Sequence, residues 1–382
     1  MLYELLFPLS TKYRWLGFLN VLRYIPFRVI AATITAMLLS FFLAPWFIRE
    51  LQKKQIGQIV RDDGPASHKV KAGTPTMGGA LILVSLLVPV ALWADLSNRF
   101  ILATAAVTAG YGVIGYLDDY LKIKHKNPNG LAGRYKLLGQ IGIGGAALAY
   151  AFLDTKGMPA DWLQYRNYLS LPFVAFSKHP IVLPIGLYVA FALFVVVGTS
   201  NAVNLTDGLD GLAIGPVMIS AGTYLIWAYI AGTTFLFQVS GKLMSLPRYL
   251  DIAPNAAGGE MAIYCGAMIG AGIGFLWYNT YPAQVFMGDV GSLSLGGGLG
   301  MLAIFTKNEF LSVLLGGIFV IEALSVITQV TSFKLTGKRV FLMAPIHHHY
   351  EKKGWAEPKI IVRFWIIAVL LALVSLSSMK LR

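Results

Sequence analysis

The chain has 382 residues, of which 56% are hydrophobic and 13% charged, with 40 glycines and a formal net charge of +13. So apolar a composition excludes an ordinary soluble enzyme and a disordered chain, and indicates an integral membrane protein. In that setting the basic excess points to membrane orientation and contact with membrane lipid, and with no basic motif interleaved with aromatics, no nucleic-acid partner is expected. The single cysteine, Cys265, allows no intrachain disulfide.

Residues 1–26 mix Tyr3, Lys12, Arg14, Trp15 and Arg23 with apolar residues, without the ordered regions of a removable signal peptide. Beyond them, apolar runs long enough to cross a roughly 30 Å hydrocarbon core recur near 27–48, 76–95, 100–121, 137–153, 181–201, 209–231, 262–280, 290–306, 311–333 and 360–379. These predict an all-α, polytopic membrane protein of about ten transmembrane helices, with 1–382 as one integral membrane domain. An even number of spans puts both termini on one side. The connections 49–75, 122–136, 202–208, 281–289 and 334–359 then share the other face, which collects Lys53, Lys54, Arg61, Lys122, Lys136, Lys338, Lys352 and further basic residues. The positive-inside rule makes that face cytoplasmic and the termini periplasmic. Segment 232–261 falls on the outer face with no assigned role.

The glycine clusters "GAGIGF" (270–275) and "LGGGLG" (295–300) lack the strand-loop-helix setting of a nucleotide loop and read as close helix packing. Chemistry is expected elsewhere. Apart from the lysines, the unusual polar residues fall at span ends on the cytoplasmic face: Asp118–Asp119, "NAVNLTDGLDG" (201–211), "YNTYPAQVFMGDVGS" (278–292) and "APIHHHYEKKGW" (344–355). In the second run Asn201, Asn204, Asp207 and Asp210 recur at every third residue, which on a helix lines them along one face, with the glycines permitting a break. Asp118 and Asp119 point about 100° apart on a helix, which predicts different tasks.

One carboxylate at a helix end can simply cap the helix or pair with a lysine. Several on one partly desolvated face repel one another unless a cation sits among them, and oxygen-only ligands select a hard divalent ion, Mg²⁺ being the natural candidate. Mg²⁺ with lysines is the equipment of phosphoryl transfer, whose task is to neutralise and align phosphate oxygens. His347, His348 and His349 cannot all reach one metal from a regular element. They read as a polar loop, or as hydrogen-bond donors or a proton shuttle beside a phosphate. The residues alone thus suggest a membrane enzyme that uses Mg²⁺ on a phosphate or pyrophosphate substrate at the cytoplasmic surface. Glu322 lies mid-span and needs a partner, either Gln329 two turns on or a group on another helix.

"GTPTMGG" (73–79), "DDY" (118–120), the 198–213 run, "FMGDVGSL" (286–293) and "PIHHHYEKKGW" (345–355), in that order, resemble the phospho-N-acetylmuramoyl-pentapeptide transferase family. That family belongs to the polyprenyl-phosphate N-acetylhexosamine-1-phosphate transferase superfamily, and the likeness runs from about residue 27 to the C-terminus. It implies a multi-pass protein of the bacterial cytoplasmic (inner) membrane, functioning as a homodimer with its active site on the cytoplasmic face. The substrates implied are UDP-N-acetylmuramoyl-pentapeptide and undecaprenyl phosphate, and the products lipid I and UMP, in the first membrane step of peptidoglycan synthesis.

Carried over by position, the resemblance makes Asp118, Asp119 and Asp289 the essential aspartates. Asp289 would be the Mg²⁺ ligand and Asp118 the base or orienting group for the lipid phosphate. Asn204, Asp207, Asp210, Asn279 and Phe286 would meet the uridine diphosphate, with Phe286 stacking on uracil. Lys122 and Lys136 would neutralise pyrophosphate, Thr74 would contact substrate, and the loop of His347, His348 and His349 would close over the site. A sibling transferring N-acetylglucosamine-1-phosphate to the same lipid shares the aspartates and the metal. A transporter of an anionic solute is the rival of another class, disfavoured because the charges cluster at one face and no internal repeat is seen.

Overall fold

A computed structural model describes residues 2–53, 73–125, 130–178, 181–239 and 241–381. Backbone in a lipid setting must bond within its own segment, so long apolar runs become helices. All ten predicted runs are mainly helical, although 181–201 begins in a short strand and 311–333 breaks at Gly316 into two helices. The helices in chain order are α1 (Leu2–Lys12), α2 (Ile25–Lys53), α3 (Gly79–Trp93), α4 (Arg99–His125), α5 (Gly133–Phe152), α6 (Ala160–Tyr165), α7 (Ile185–Thr206), α8 (Ile214–Ala231), α9 (Leu246–Tyr249), α10 (Met261–Asn279), α11 (Gly288–Phe305), α12 (Leu311–Leu315), α13 (Gly317–Thr336), α14 (Ile346–Lys352) and α15 (Glu357–Ser377). Among the described residues, eight helices are long and apolar enough to cross a membrane: α2, α4, α7, α8, α10, α11, α13 and α15. Of the other two predicted spans, α3 is apolar but only 15 residues long, and α5 carries Arg134 and Lys136 in its first turn.

The all-α expectation needs one correction. Two short antiparallel ribbons occur, β1 (Tyr168–Leu169) with β2 (Ile181–Val182), and β3 (Leu236–Val239) with β4 (Lys242–Ser245). Both lie in long connections, where backbone released from a helix must find partners and aromatic and β-branched residues suit a pleated ribbon. The second ribbon turns through Gly241 at φ +78°, and segment 232–261, given no role by the sequence, contains this ribbon, α9 and a 3₁₀ turn at Ala256–Glu260. Residues 2–23, to which the sequence assigns no element, form α1 and a 3₁₀ segment.

The long helices run alternately up and down, so their ends sort into two groups. At one end Arg28 of α2 bonds the carboxylate of Glu260 and the carbonyl of Trp93, while Arg99 of α4 pairs with Asp154 at 3.0 Å. At the other lie the C-terminal ends of α4, α7 and α10 and the N-terminal ends of α5 and α11. Helix α11 runs through the middle, buried almost along its whole length. Glycine makes this possible. A Cβ on Gly296 would stand 2.7 Å from the Cα of Ser200, and one on Gly300 would stand 2.6 Å from the Cα of Val196. Gly270 likewise lets α10 approach the Thr33 carbonyl of α2. Both glycine clusters therefore pack helices, as the sequence predicts.

Candidate active site

The three aspartates Asp118, Asp119 and Asp289 meet because two backbones touch. A Cβ on Gly115 would be 2.2 Å from the carbonyl oxygen of Asp289, and one on Gly79 only 2.0 Å from the amide nitrogen of Gly291. Gly115 lies, in helical projection, between the directions of Asp118 and Asp119, about 60° from one and 40° from the other. The start of α11 docks in that angle. The adjacent pair therefore flanks that contact, and carboxylate oxygens of Asp118, Asp119 and Asp289 lie within 4.8 Å of one another.

Two lysines bridge them. Lys122 Nζ is 2.5 Å from Asp118 Oδ2, 3.4 Å from Asp119 Oδ1 and 3.3 Å from Asp289 Oδ2. Lys136 Nζ is 2.7 Å from Asp289 Oδ2 and 3.0 Å from Asp118 Oδ2. Three carboxylates against two ammonium groups leave negative charge in excess.

The surroundings still distinguish the aspartates. Asp118 is fully buried and its Oδ1 accepts the Leu131 N–H at 2.7 Å. That contact needs Gly130, which has φ +53° and whose Cβ would fall 2.5 Å from the same oxygen. Asp119 faces Gly288, also left-handed at φ +69°, where a Cβ would be 2.6 Å from Asp119 Oδ2. Asp289 stands in the first turn of α11, where the helix N-terminus favours a carboxylate. Asn204 Nδ2 donates to its Oδ1 at 2.9 Å and to Ser292 Oγ at 2.8 Å.

The 201–211 run is helical only to Thr206, and Asp207 caps α7 at φ −78°, ψ 58°. The single helical face expected of its four polar residues is therefore split. Asn201 turns inward to Gln140, Asn204 reaches Asp289, and Asp207 and Asp210 lie on the following turn. Asp207 is half-buried beside the cluster. Burial first, then the charges of Asp289 and Asp119, push its carboxyl well above the usual range, against the opposing Gly288 N–H.

Asp210 and Asn279 are buried and frame the next loop. Asp210 Oδ2 accepts the Ala283 N–H at 3.0 Å, its own N–H donates to Glu357 at 2.9 Å, and Asn279 Nδ2 donates to the Val285 carbonyl at 2.9 Å. The loop presents Phe286, half-buried, and is tied to the 73–79 motif by Phe286 N–H to the Pro75 carbonyl (2.9 Å) and Gly78 N–H to the Phe286 carbonyl (2.8 Å). Thr74, half-buried, sits in that motif. Of the basic residues on this face, Lys54 and Arg61 lie outside the described residues.

The three histidines take three directions. His347 is fully buried, its Nδ1 3.1 Å from Glu322 Oε2 and its ring against Gly208, whose Cβ would stand 2.2 Å from Nε2. Glu322 thus pairs with another helix and not with Gln329, which instead bonds Val340 and Phe341. His348 meets Glu351 at 2.6 Å, and His349 Nδ1 accepts the Leu342 N–H at 3.1 Å. Burial and the charge of Lys353 lower the His349 pKa. None of these three histidines belongs to the carboxylate cluster. Sequence reading missed Ser292, Gly130, Leu131 and Glu357, which act through backbone groups or single bonds and carry no signal in spacing.

Fold and site together define a class: a polytopic helical membrane protein with a half-open carboxylate–lysine cluster suited to phosphate chemistry. The family model described as Glycosyl transferase family 4 matches residues 101–307, and Phospho-N-acetylmuramoyl-pentapeptide-transferase signature 1 matches residues 71–83. Curated relatives of that name are 73% identical in Sorangium cellulosum (strain So ce56) and 54% identical in both Geobacter sp. (strain M21) and Anaeromyxobacter sp. (strain K), in each case over all of both chains. The chain belongs to the phospho-N-acetylmuramoyl-pentapeptide-transferase family.

Proposed function

We propose that this protein transfers phospho-N-acetylmuramoyl-pentapeptide from UDP-N-acetylmuramoyl-pentapeptide to undecaprenyl phosphate, giving lipid I and UMP, with the carboxylate–lysine cluster as its reaction centre. The phosphate of the lipid attacks the sugar-linked phosphate, the pyrophosphate bond breaks and UMP leaves. The observation that carries the assignment of the centre is the convergence of Asp118, Asp119 and Asp289 with Lys122 and Lys136.

The cluster fits Mg²⁺. Its donors are all carboxylate oxygens, negative charge is in excess, and both lysines are partly exposed and free to turn toward an incoming phosphate. Asp289, with Asp118 and Asp119 beside it, would hold the ion, which when bound supplies positive charge to the phosphate oxygens. Lys122 and Lys136 neutralise the pyrophosphate. Of the two roles expected of Asp118, orienting suits its fully buried carboxylate, which already engages Leu131 and both lysines. Asn204 holds Asp289 in place. Phe286 and Asp207 bound the nucleotide side, Asp210 and Asn279 keep that loop in shape, and the 345–355 segment flanks it through His347 on Gly208.

The reading includes one transmembrane domain of ten spans, adding α3 and α5 to the eight longer helices, with both termini periplasmic and the site cytoplasmic. The even helix count and the lysines at the site end support it. Paired copies are expected of the family, and a mass measurement in detergent tests that.

The deciding experiment is UMP release by detergent-purified protein with undecaprenyl phosphate and Mg²⁺, given UDP-N-acetylmuramoyl-pentapeptide or UDP-N-acetylglucosamine. Release with the first alone, requiring lipid and metal, is expected. Release with the second alone moves the chain to the sibling branch, and silence with both from folded protein refutes the reading.

A further inference from the structure

One helical turn inside the cluster, the same helices are joined again by a buried polar girdle. Gln140 of α5 and Ser200 of α7 are both fully buried. Gln140 Nε2 donates to Ser200 Oγ at 3.0 Å, and Ser200 Oγ donates to the Leu293 carbonyl of α11 at 2.8 Å. Asn201 Nδ2 donates to Gln140 Oε1 at 2.9 Å, and the Tyr111 hydroxyl of α4 donates to the Gln140 carbonyl at 2.9 Å.

The register is what matters. Gln140 follows Lys136 by four residues, Ser200 precedes Asn204 by four, Leu293 follows Asp289 by four, and Tyr111 precedes Asp118 by seven. At 3.6 residues per turn each girdle group lies on the same helix face as a group of the cluster, one or two turns away. Every helix that contributes an aspartate, a lysine or Asn204 to the cluster is therefore held in register by this one network. Interior packing is apolar almost everywhere else along α11, and apolar contacts tolerate a small slide that hydrogen bonds between buried groups do not.

We propose that Gln140 and Ser200 are positioning residues for the transfer reaction: they fix the axial register of α5, α7 and α11 so that Lys136, Asn204 and Asp289 meet. The inference rests on the reading of the cluster as the reaction centre. It assigns the two residues no contact with substrate. Their loss lets the cluster spread, weakening the metal site and the alignment of phosphates, while the 280–287 loop keeps its own bonds to Asn279 and to the 73–79 motif.

The test compares Ser200→Ala and Gln140→Met with Thr108→Val, each in the full-length detergent-purified protein. Thr108 makes an equally buried bond, 2.6 Å to the Tyr264 hydroxyl, between α4 and α10, outside the girdle. Three readouts are taken: kcat, KM for UDP-N-acetylmuramoyl-pentapeptide, and the Mg²⁺ concentration giving half of the metal-induced rise in melting temperature without substrate. For both girdle variants kcat is expected to fall by roughly 10–100-fold and the Mg²⁺ requirement to rise by a similar factor, with KM changed less than about twofold. Thr108→Val is expected to lower the melting temperature and change neither kcat nor the Mg²⁺ response.

Girdle variants that keep both, or that lose them only to the extent that the fall in melting temperature leaves less folded protein, overturn the inference. Asp289→Asn runs alongside. If it retains turnover and the Mg²⁺ response, the reading of the cluster fails; if it loses both while the girdle variants do not, only the positioning role fails.

Discussion

Among the described residues two lysine–carboxylate clusters lie at opposite ends of the bundle, and they differ in charge balance and in access to water. At the end away from the site, Lys307 Nζ is 3.1 Å from Glu309 Oε1, 2.7 Å from the Tyr188 hydroxyl and 2.9 Å from the Arg166 carbonyl. The two charged side chains are 3% and 0% exposed. One cation meets one carboxylate, a hydroxyl and a carbonyl complete the set, and aromatic rings of Tyr188 and Trp162 cover the ammonium. Burial pulls the Lys307 pKa down while Glu309 opposes it. At the site end three carboxylates share two lysines, and Lys122, Lys136 and Asp289 are 29%, 21% and 15% exposed. A matched, dry pair fastens loops, because neither partner can leave without stranding the other. An unmatched, partly wet cluster can exchange its lysine contacts for a metal and phosphates.

The comparison is sharpest at Asp289. Asp289→Asn is expected to lower UMP release by about a thousandfold with the protein still folded, and near-normal turnover at ordinary Mg²⁺ would end its assignment as ligand. Chelation of the metal should do the same to the wild type, reversibly, and leave Lys307 variants equally dependent on Mg²⁺; titrating Mg²⁺ back into each sample checks this. Lys136→Met is expected to cost about a hundredfold in kcat/KM, with partial recovery in Lys136→Arg, because charge toward pyrophosphate matters more than the shape of the cation. Glu322→Gln alters the buried pair with His347 and should lower turnover about tenfold without changing the Mg²⁺ requirement, since it acts through the 345–355 segment. Glu309→Gln is expected to leave turnover per folded molecule unchanged and to destabilise by about 3–5 kcal/mol, read as an early melting transition. Loss of turnover there in excess of unfolding would mean that the two clusters are not the different devices described.

Much of this was legible in the chain itself. The helices stand where apolar length placed them, because a lipid setting leaves a long apolar backbone no other solution. The site end was legible because charged groups at span ends on one face have few innocent explanations in number. What spacing could not show was convergence. Asp118 and Asp119 diverge on their own helix, and only the docking of α11 on Gly115 brings Asp289 within reach of both. The four polar residues of 201–211 had the period of a helical face, yet the turn at Asp207 divides them. Glu322 had two candidate partners by distance along the chain, and the return of the 345–355 segment selected His347.

The sequence by itself determined that this is a helical membrane protein with acidic and basic groups collected at one end, since hydropathy, charge and motif order are local properties that survive in one dimension. The tertiary structure alone decided which carboxylates share a point, which lysines bridge them, and which polar groups hold the helices in register. Those relations depend on close backbone approach between elements distant in the chain, set by glycines whose only signature is the absence of a side chain.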